Sequence, residues 1–388
     1  MSPSVLGRTR FILLRRDQCI ARSDSAVFYS FPIEASVTIS RICKFIAAEE
    51  DIMLKRKIIP VALLILMLFG LVGCQGSEPK VENGAKILKI GVSTGETDPR
   101  NIAAKEFADE IEEKSGGKLK AQVYPSGQLG GDAALIDGMA INSGKADIII
   151  SDASNFATYE PKMGISALPF IFSDFDTAWA FMDSEIEAEA EKLLLDKNMR
   201  VLAHYCNGFR CVTNSERPVE SPSDMQGLVI RTPENPIIMA TMTALGANPQ
   251  PLSFSELYPA LRQGTYDGQE NPIPVIYNNK LYEVQKYLSV TNHIYSGMCF
   301  TISESVWKKL TPEEQQIVQS AAGHSAESDR KNNREQTETL LEELKGKGME
   351  INEPKLDAFS EVTSGVITSN AATYGDLFDR TMEWLKSR

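Results

Sequence analysis

The sequence predicts an α/β protein with two lobes of similar size and one long helix that bridges them. Short apolar segments alternate with segments of helical spacing through residues 87–150, and a second series of the same kind occupies residues 201–263. Strands that alternate with helices in this way favour a parallel, doubly wound sheet. The long helical segment, residues 311–346, follows both series.

The first series contains the clearest helix and the most apolar strand. Residues 101–114 carry apolar side chains at helical spacing, and Gly116 and Gly117 end that helix. Residues 147–150 are nearly pure isoleucine, which is typical of a buried strand. In chain order we predict a strand at 87–92, a helix at 101–114, a strand at 119–124, a helix at 135–141 and a strand at 147–150.

The second series repeats this pattern in kind, without repeating the sequence. A helix around residues 178–195 leads into it. Its predicted elements are a strand at 201–205, a strand at 228–231, a helix at 237–245 and a further segment at 258–263.

The two series define the predicted lobes. We expect the chain to cross between them near residues 205–210 and again near 293–300. The resulting assignment is residues 86–208 plus about 297–335 for lobe I, and residues 209–296 plus about 336–388 for lobe II.

The long helix has a well-marked start. Thr311 and Glu314 form a capping box, and Pro312 occupies the first helical position. Residues 329–335 in its middle are polar all round, which is typical of a helix that bridges two lobes instead of filling a core.

Composition excludes several classes of function. The chain has 388 residues, of which 43% are hydrophobic, as in ordinary globular proteins, so it does not form a membrane channel by itself. It has 40 Lys plus Arg against 52 Asp plus Glu, a net charge of -12. It therefore lacks the basic surface that nucleic-acid binding requires.

An apolar run near the N-terminus predicts export. Residues 58–69 follow Lys55, Arg56 and Lys57, and the run is short for a membrane span, so it predicts a signal peptide. The run ends in LVGC at residues 71–74, which resembles the lipobox of bacterial lipoproteins. Cys74 is then the lipidated residue and the mature N-terminus. An uncleaved anchor helix is the alternative.

Signal peptides begin at the start of translation, but this one follows 52 other residues. Met53 stands directly before its basic segment. We predict that residues 1–52 are a spurious extension of the reading frame, that residues 53–73 are a lipoprotein signal peptide, and that polar residues 74–85 are a tether. A genuine extra N-terminal segment is the alternative.

Three cysteines lie in the folded part, Cys206, Cys211 and Cys299. A small-loop disulfide between Cys206 and Cys211 and free buried thiols are both compatible with the sequence. We find no CxxC spacing and no Cys/His metal pattern, and we expect neither a metal site nor a cofactor.

One motif suggests catalysis. Residues 91–95 match G-x-S-x-G directly after a strand, which makes Ser93 a candidate nucleophile for an extracytoplasmic serine hydrolase. The next helix, however, starts several residues beyond this serine, and only three histidines are available as a base. Walker A, GxGxxG and HExxH patterns are not found. We therefore expect a binding protein and not an enzyme.

Arg231 is the best candidate for ligand recognition. It closes the apolar strand at residues 228–230 and precedes Thr232 and Pro233, so its guanidinium should emerge at the end of the sheet where open α/β folds bind ligands. A planar guanidinium recognises a carboxylate through two parallel hydrogen bonds.

A series of short motifs runs through residues 87–388 in a fixed order. These are YPSGQLG at 124–130, NGFR at 207–210, DMQGLVIRTP at 224–233, LGANP at 245–249, FSELYPAL at 254–261, DGQENP at 267–272, YEVQKY at 282–287 and TNHI at 291–294. Together they resemble the solute-binding subunits of tripartite ATP-independent periplasmic (TRAP) transporters, of the dicarboxylate-binding type. The resemblance implies a two-lobed periplasmic-binding-protein-like fold with hinged lobes.

The resemblance also implies roles for single residues. Arg231 matches the arginine that pairs with the ligand carboxylate, Arg210 a second arginine near the ligand, and Asn271 an asparagine that also contacts the carboxylate. Phe254 matches a pocket aromatic. Asp152 and Ser93 occupy positions that contact the distal part of the ligand. Glu234 stands where some sialic-acid-binding members carry an amide, which argues against that ligand.

The function implied is that of a receptor outside the cytoplasm, anchored by lipid to the membrane. It would close on a sugar acid or C4-dicarboxylate and deliver it to the small and large membrane subunits of a transporter driven by an ion gradient. The receptor of an ATP-driven importer is a further alternative.

Overall fold

The computed structural model describes strands β1 (Arg10–Leu13) and β2 (Cys19–Arg22), residues 80–82 and residues 84–388. The chain divides into two compact units, Met1–Cys74 and Gln75–Arg388. In the first unit, β1 pairs with β2 in antiparallel fashion. The predicted signal peptide at 53–73, the lipid site at Cys74 and the rest of the predicted extension lie outside the described residues.

The second unit is built on one mixed sheet of ten described strands. They are β3 (Lys80–Glu82), β4 (Ala85–Gly91), β5 (Leu119–Tyr124), β6 (Ile148–Asp152), β7 (Met199–Asn214), β8 (Val229–Thr232), β9 (Asn248–Pro251), β10 (Gly268–Pro272), β11 (Tyr287–Ser303) and β12 (Glu350–Asn352). Their order in the sheet is β3-β4-β6-β11-β7-β10-β8-β9, with β5 beside β4 and β12 beside β11.

Helices cover this sheet. They are α1 (Pro99–Lys114), α2 (Asp132–Ala140), α3 (Phe175–Met182), α4 (Glu185–Leu193), α5 (Pro236–Ala244), α6 (Phe254–Arg262), α7 (Ile273–Asn278), α8 (Glu304–Trp307), α9 (Pro312–Gly346), α10 (Asp357–Tyr374) and α11 (Asp376–Lys386). The predicted helix at 101–114 is confirmed and begins slightly earlier, where Asp98 caps it. The single helix predicted around 178–195 is wrong, because Asp183 and Ser184 end α3 and cap α4.

The predicted parallel pairing is confirmed on both sides of the sheet, apart from the antiparallel edge strand β3, and is wrong in the centre. Strands β4, β5 and β6 are parallel, as are β8, β9 and β10. Between them lie two long antiparallel strands, β7 of 16 residues and β11 of 17 residues. The sequence predicted a strand at residues 201–205 and did not predict that β7 continues through Asn207 and Gly208 to Asn214.

Asn207 and Gly208 form a β-bulge instead of a turn. The register of β7 against β11 shifts between Ser296 and Gly297, so Asn207 has no partner residue. Gly208 has a φ of 110°, a conformation open to glycine but rarely to other residues. The bulge lies in the segment where we predict the chain to cross between lobes.

The structure corrects the disulfide alternative for Cys206 and Cys211. Five residues along one extended strand place their Cα atoms about 16 Å apart, and a disulfide requires less than about 7 Å. Both are buried free thiols.

Helix α9 confirms the predicted capping box and long span, with 35 residues. The middle of this helix is polar, as the sequence shows, but two of its polar side chains, Asp329 and Asn333, are buried. The Cys206 N–H donates to Asp329 Oδ2 at 2.6 Å, and Asn333 Nδ2 donates to the Cys206 and Asn207 carbonyls at 2.9 and 3.1 Å. These side chains therefore satisfy backbone groups that the bulge leaves outside the strand ladder.

Apolar cores lie on both faces of the sheet. On β6, Ile149 packs into one core with Phe156 and Phe181, while Ile148 and Ile150 pack into another beneath α1 and α9. The pattern repeats on β7, where Cys211 and Val212 enter different cores. Within the described residues, no helix has the length and apolar character needed to cross a membrane.

Asp329 provides a testable pH dependence. Burial raises the pKa of its carboxyl to about 8, although the hydrogen bond from Cys206 opposes the shift. The unfolded chain loses this proton near pH 3.9. Between about pH 4 and pH 8 the folded state therefore holds one proton more, and this group lowers the free energy of unfolding as pH rises.

We expect Asp329→Asn to have a flatter stability profile than the wild type between pH 5 and pH 8. Urea unfolding at several pH values measures it, with exposed Asp379→Asn as the control. Parallel profiles for Asp329→Asn and the wild type would contradict the assignment.

Candidate functional site

Arg231 lies on β8, flanked by Gln269 of β10 and Gln250 of β9. Its side chain is buried, with the residue only 2% exposed. The guanidinium donates through Nε to the Leu252 carbonyl at 2.8 Å and stands 5.8 Å from the ring centre of Phe254. The backbone after β9 and the start of α6 thus hold this cation at the carboxyl end of the parallel strands, as predicted.

No carboxylate of the described residues lies within 4.0 Å of the Arg231 guanidinium. Two other arginines are as deeply buried, and both are paired: Arg100 with Asp98 and Arg210 with Glu270. Burial lowers the pKa of Arg231 to about 10, so it remains charged at neutral pH. A buried cation without a counter-charge is costly, and an anion supplied from outside would relieve that cost.

The charge of Arg210 is balanced by a carboxylate of the protein itself, that of Glu270. From β7 Arg210 forms two hydrogen bonds to the Glu270 carboxylate, one of them 2.8 Å long from Nη2, and Nη2 also donates to Asn271 Oδ1 at 3.2 Å. Burial would lower the pKa of Arg210, but the charge of Glu270 and its hydrogen bond with the guanidinium together raise that pKa. His293 Nε2 lies 3.3 Å from the same carboxylate.

Asn271 is held from both ends of its amide. Its Oδ1 accepts the bond from Arg210, and its Nδ2 donates to Gln269 Oε1 at 2.5 Å. Gln269 pairs with Arg231 across β10 and β8. Asn271 therefore connects Arg210, whose charge is paired, to Gln269, the residue opposite Arg231.

Asp152 caps a short 3-10 helix at the end of β6. Its Oδ1 accepts the Ser154 N–H at 2.9 Å, and its Oδ2 accepts the Ser296 hydroxyl. Ser296 Oγ also lies 3.3 Å from Arg210 Nη1. Asp152 thus belongs to the polar network around Arg210.

Ser93 and Phe254 line one cavity of about 180 Å³. Ser93, Gly95 and Ser126 come from predicted lobe I, and the other wall comes from predicted lobe II. The second wall consists of Phe254, Ser255, Leu257, Tyr258, Asn279 and Leu281. Arg231 does not itself line this cavity, but its guanidinium lies against Phe254, which does.

The hydrolase alternative finds no base in the described part of the chain. His204 contacts Asp183 and Glu191, His293 contacts Thr291 and Glu270, and His324 contacts Glu110. None of these rings is hydrogen-bonded to Ser93.

Two asparagines that we did not predict form hydrogen bonds between the two predicted lobes. Asn235 caps α5 and donates from Nδ2 to Ser154 Oγ at 2.5 Å, and Asn279 Oδ1 accepts the Gly95 N–H at 3.2 Å. Asn235 followed by Pro236 is a recognisable helix start. Asn279 follows α7 without any sequence signal.

Comparison with known proteins places the chain in a family. The family described as bacterial extracellular solute-binding protein, family 7, matches residues 90–373. The 2,3-diketo-L-gulonate-binding periplasmic protein of Escherichia coli is 38% identical over 267 residues, which are 69% of this chain and 81% of that protein.

Solved structures give the same result. A TRAP periplasmic solute-binding protein from a Polaromonas species, bound to D-erythronate, is 34% identical with a TM-score of 0.74, covering 77% of this chain and 98% of that chain. One from Sulfurospirillum deleyianum with bound succinate is 29% identical with a TM-score of 0.72, covering 76% and 98%. These matches confirm the predicted two-lobed α/β fold.

Proposed function

The chain belongs to the bacterial extracellular solute-binding proteins of family 7, and we propose that it captures an organic acid by pairing the ligand carboxylate with Arg231. It acts as the extracytoplasmic receptor of a TRAP transporter. The observation that carries the site assignment is the unpaired charge of Arg231 beside a cavity between the predicted lobes. A carboxylate that binds there replaces its lost hydration with charge-assisted, two-point hydrogen bonds.

The site favours a sugar acid over a C4-dicarboxylate. A dicarboxylate brings two negative charges, and Arg210 already carries its counter-charge in Glu270. Ser93, Ser126 and Ser255 line the cavity with hydroxyl groups that can exchange hydrogen bonds with a polyol chain. The Escherichia coli and Polaromonas relatives are named for, or bound to, acids of this kind.

The roles of the remaining residues follow from their contacts. Phe254 packs against the guanidinium and lines the cavity, which keeps water from the ion pair. Asn271, Asp152 and Arg210 form the polar network behind the site and hold its strands in register. We propose that Asn235 and Asn279 hold the two walls together around the bound acid.

A screen of ligands by thermal unfolding tests the function. We expect aldonic and uronic acids to raise Tm, C4-dicarboxylates to raise it less, and the matching neutral sugars to leave it unchanged. Stabilisation by the neutral sugars alone would contradict carboxylate recognition. A larger shift with succinate than with every sugar acid would contradict the argument from a single unpaired cation.

The location of the protein follows from its family, which is extracytoplasmic. We propose in addition that Cys74 carries lipid and that the mature chain begins there, anchored beside the small and large membrane subunits. Intact mass of protein extracted from membranes should equal residues 74–388 plus the mass of the lipid. Recovery of peptides from residues 1–52 would contradict this start.

A further inference from the structure

A second group of reactive side chains lies outside the cleft, where α4 packs against β7 and β11. Glu187 and Glu191 are four residues apart on α4 and share one face of it. His204 of β7 is the direct partner of Cys299 of β11. The ligand atoms of Glu191, His204 and Cys299 all lie within 4.8 Å of one another. Sequence analysis predicted no metal site, because these residues come from three elements and share no spacing motif.

The histidine of this group is oriented like a metal ligand. His204 Nε2 shares a short hydrogen bond with Glu191 Oε1, which a metal ion held between the two would replace, while Nδ1 lies 3.2 Å from Asp183 Oδ1. Arg330 holds Asp183 through two hydrogen bonds of 2.6 and 2.7 Å. A carboxylate on one ring nitrogen that leaves the other for the metal is the usual second partner of a metal-binding histidine.

Glu187 supplies an independent sign of a missing partner. It is fully buried, and neither carboxylate oxygen has a partner at hydrogen-bonding geometry, although the Ser166 side chain lies near enough to interact. It lies one turn before Glu191 on the same face of α4, which places it beside the group. A buried carboxylate without donors requires a cation or a proton.

We propose that Glu191, His204 and Cys299 bind one zinc ion, and that the carboxylate of Glu187, one turn before Glu191 on α4, turns toward the ion as its fourth ligand. One imidazole, one thiolate and two carboxylates are ligands that zinc accepts in a tetrahedral site, whereas calcium and magnesium prefer oxygen alone.

The ion has a route to this site. A groove of about 370 Å³ is lined by both Glu191 and His204, and their side chains are 13% and 11% exposed. Cys299 lies behind them and is buried. The groove shares no residue with the cavity beside Arg231. Zinc would therefore tie α4 to the two central strands without entering the acid site.

Cobalt titration of the untagged mature protein, residues 74–388, tests the proposal. Co²⁺ bound to a thiolate in a tetrahedral site gives a charge-transfer band in the near ultraviolet and visible d–d bands, and Zn²⁺ should displace both at one ion per chain. At a zinc concentration 100 times Kd we expect Tm to rise by about 4 °C. Affinity for the organic acid should stay unchanged.

Variants assign the ligands. Cys299→Ser should lose the charge-transfer band, and His204→Gln and Glu191→Gln should each weaken zinc binding at least tenfold. Cys211→Ser replaces another buried free thiol, and His324→Gln an exposed histidine, so both should bind metal like the wild type. Glu191 is partly exposed, so Glu191→Gln keeps the test open if Cys299→Ser does not fold.

The outcomes that would overturn the site are distinct. A charge-transfer band that persists in Cys299→Ser would place the metal on another thiol. Wild-type zinc affinity in Glu191→Gln, or a wild type that shows neither the band nor a rise in Tm, would show that protons alone satisfy these carboxylates.

Discussion

Replacing Arg231 with alanine is expected to weaken binding of the organic acid by roughly tenfold if one bond is lost, and by several hundredfold or more if both are. Each hydrogen bond to a charged group contributes about 1.5 to 3 kcal/mol, and about 1.4 kcal/mol corresponds to one factor of ten in Kd. Alanine removes both bonds of the guanidinium fork and leaves the ligand carboxylate in a cavity without a cation. Calorimetric titration of wild type and variant with the acid that gives the largest thermal shift measures the effect.

Two companion variants isolate the cause. Arg231→Lys should recover only part of the affinity, because an ammonium group lacks the planar fork. Arg380→Ala removes an arginine on α11 whose partners are surface carboxylates, and it should bind like the wild type. Circular dichroism confirms that each variant is folded. Wild-type affinity in folded Arg231→Ala would show that the carboxylate is held elsewhere, most directly by Arg210.

Glu270→Ala is expected to lower the free energy of unfolding by about 3 to 5 kcal/mol, which is the usual cost of breaking a buried ion pair on one side. Glu270 is completely buried and accepts hydrogen bonds from Arg210. Burial would raise its pKa, but the charge of Arg210 and the hydrogen bonds from His293 and Arg210 together lower that pKa, so the pair is ionised. Urea unfolding of the wild type and the variant measures the loss.

The double variant Arg210→Met with Glu270→Leu is the matched control. It removes both charges of the pair together, so neither is left buried without its partner, and it should be markedly more stable than Glu270→Ala. A Glu270→Ala protein as stable as the wild type would contradict the role of this pair in holding β7 against β10.

The position of Arg231 was predictable from sequence because its signal is local. An apolar strand that ends in Arg, Thr and Pro places the arginine at a strand end, and the structure has it there. The absence of a counter-charge beside Arg231 was not predictable, because it depends on which carboxylates the other strands of the sheet bring close to the guanidinium. Arg210 shows the difference, since its partner Glu270 is 60 residues away in the chain.

The central strands were the main failure of the sequence analysis. Asn207 and Gly208 resemble a turn at the level of the sequence, and only α9 explains why the strand continues through them. Asp329 and Asn333, 123 and 126 or 127 residues away, bond to the bulge and stabilise it. Tertiary contacts of this range override local turn preference. The pairing of His204 with Cys299 depends on the same two strands.

A crystal structure with the best-binding acid tests the central claim most directly. The account predicts a carboxylate in the cavity lined by Ser93 and Phe254, with both oxygens about 2.7 to 2.9 Å from the Arg231 guanidinium nitrogens. It also predicts that Arg210 keeps its bonds to Glu270. A ligand carboxylate bound to Arg210 with Glu270 displaced, and Arg231 still without an anion, would contradict it.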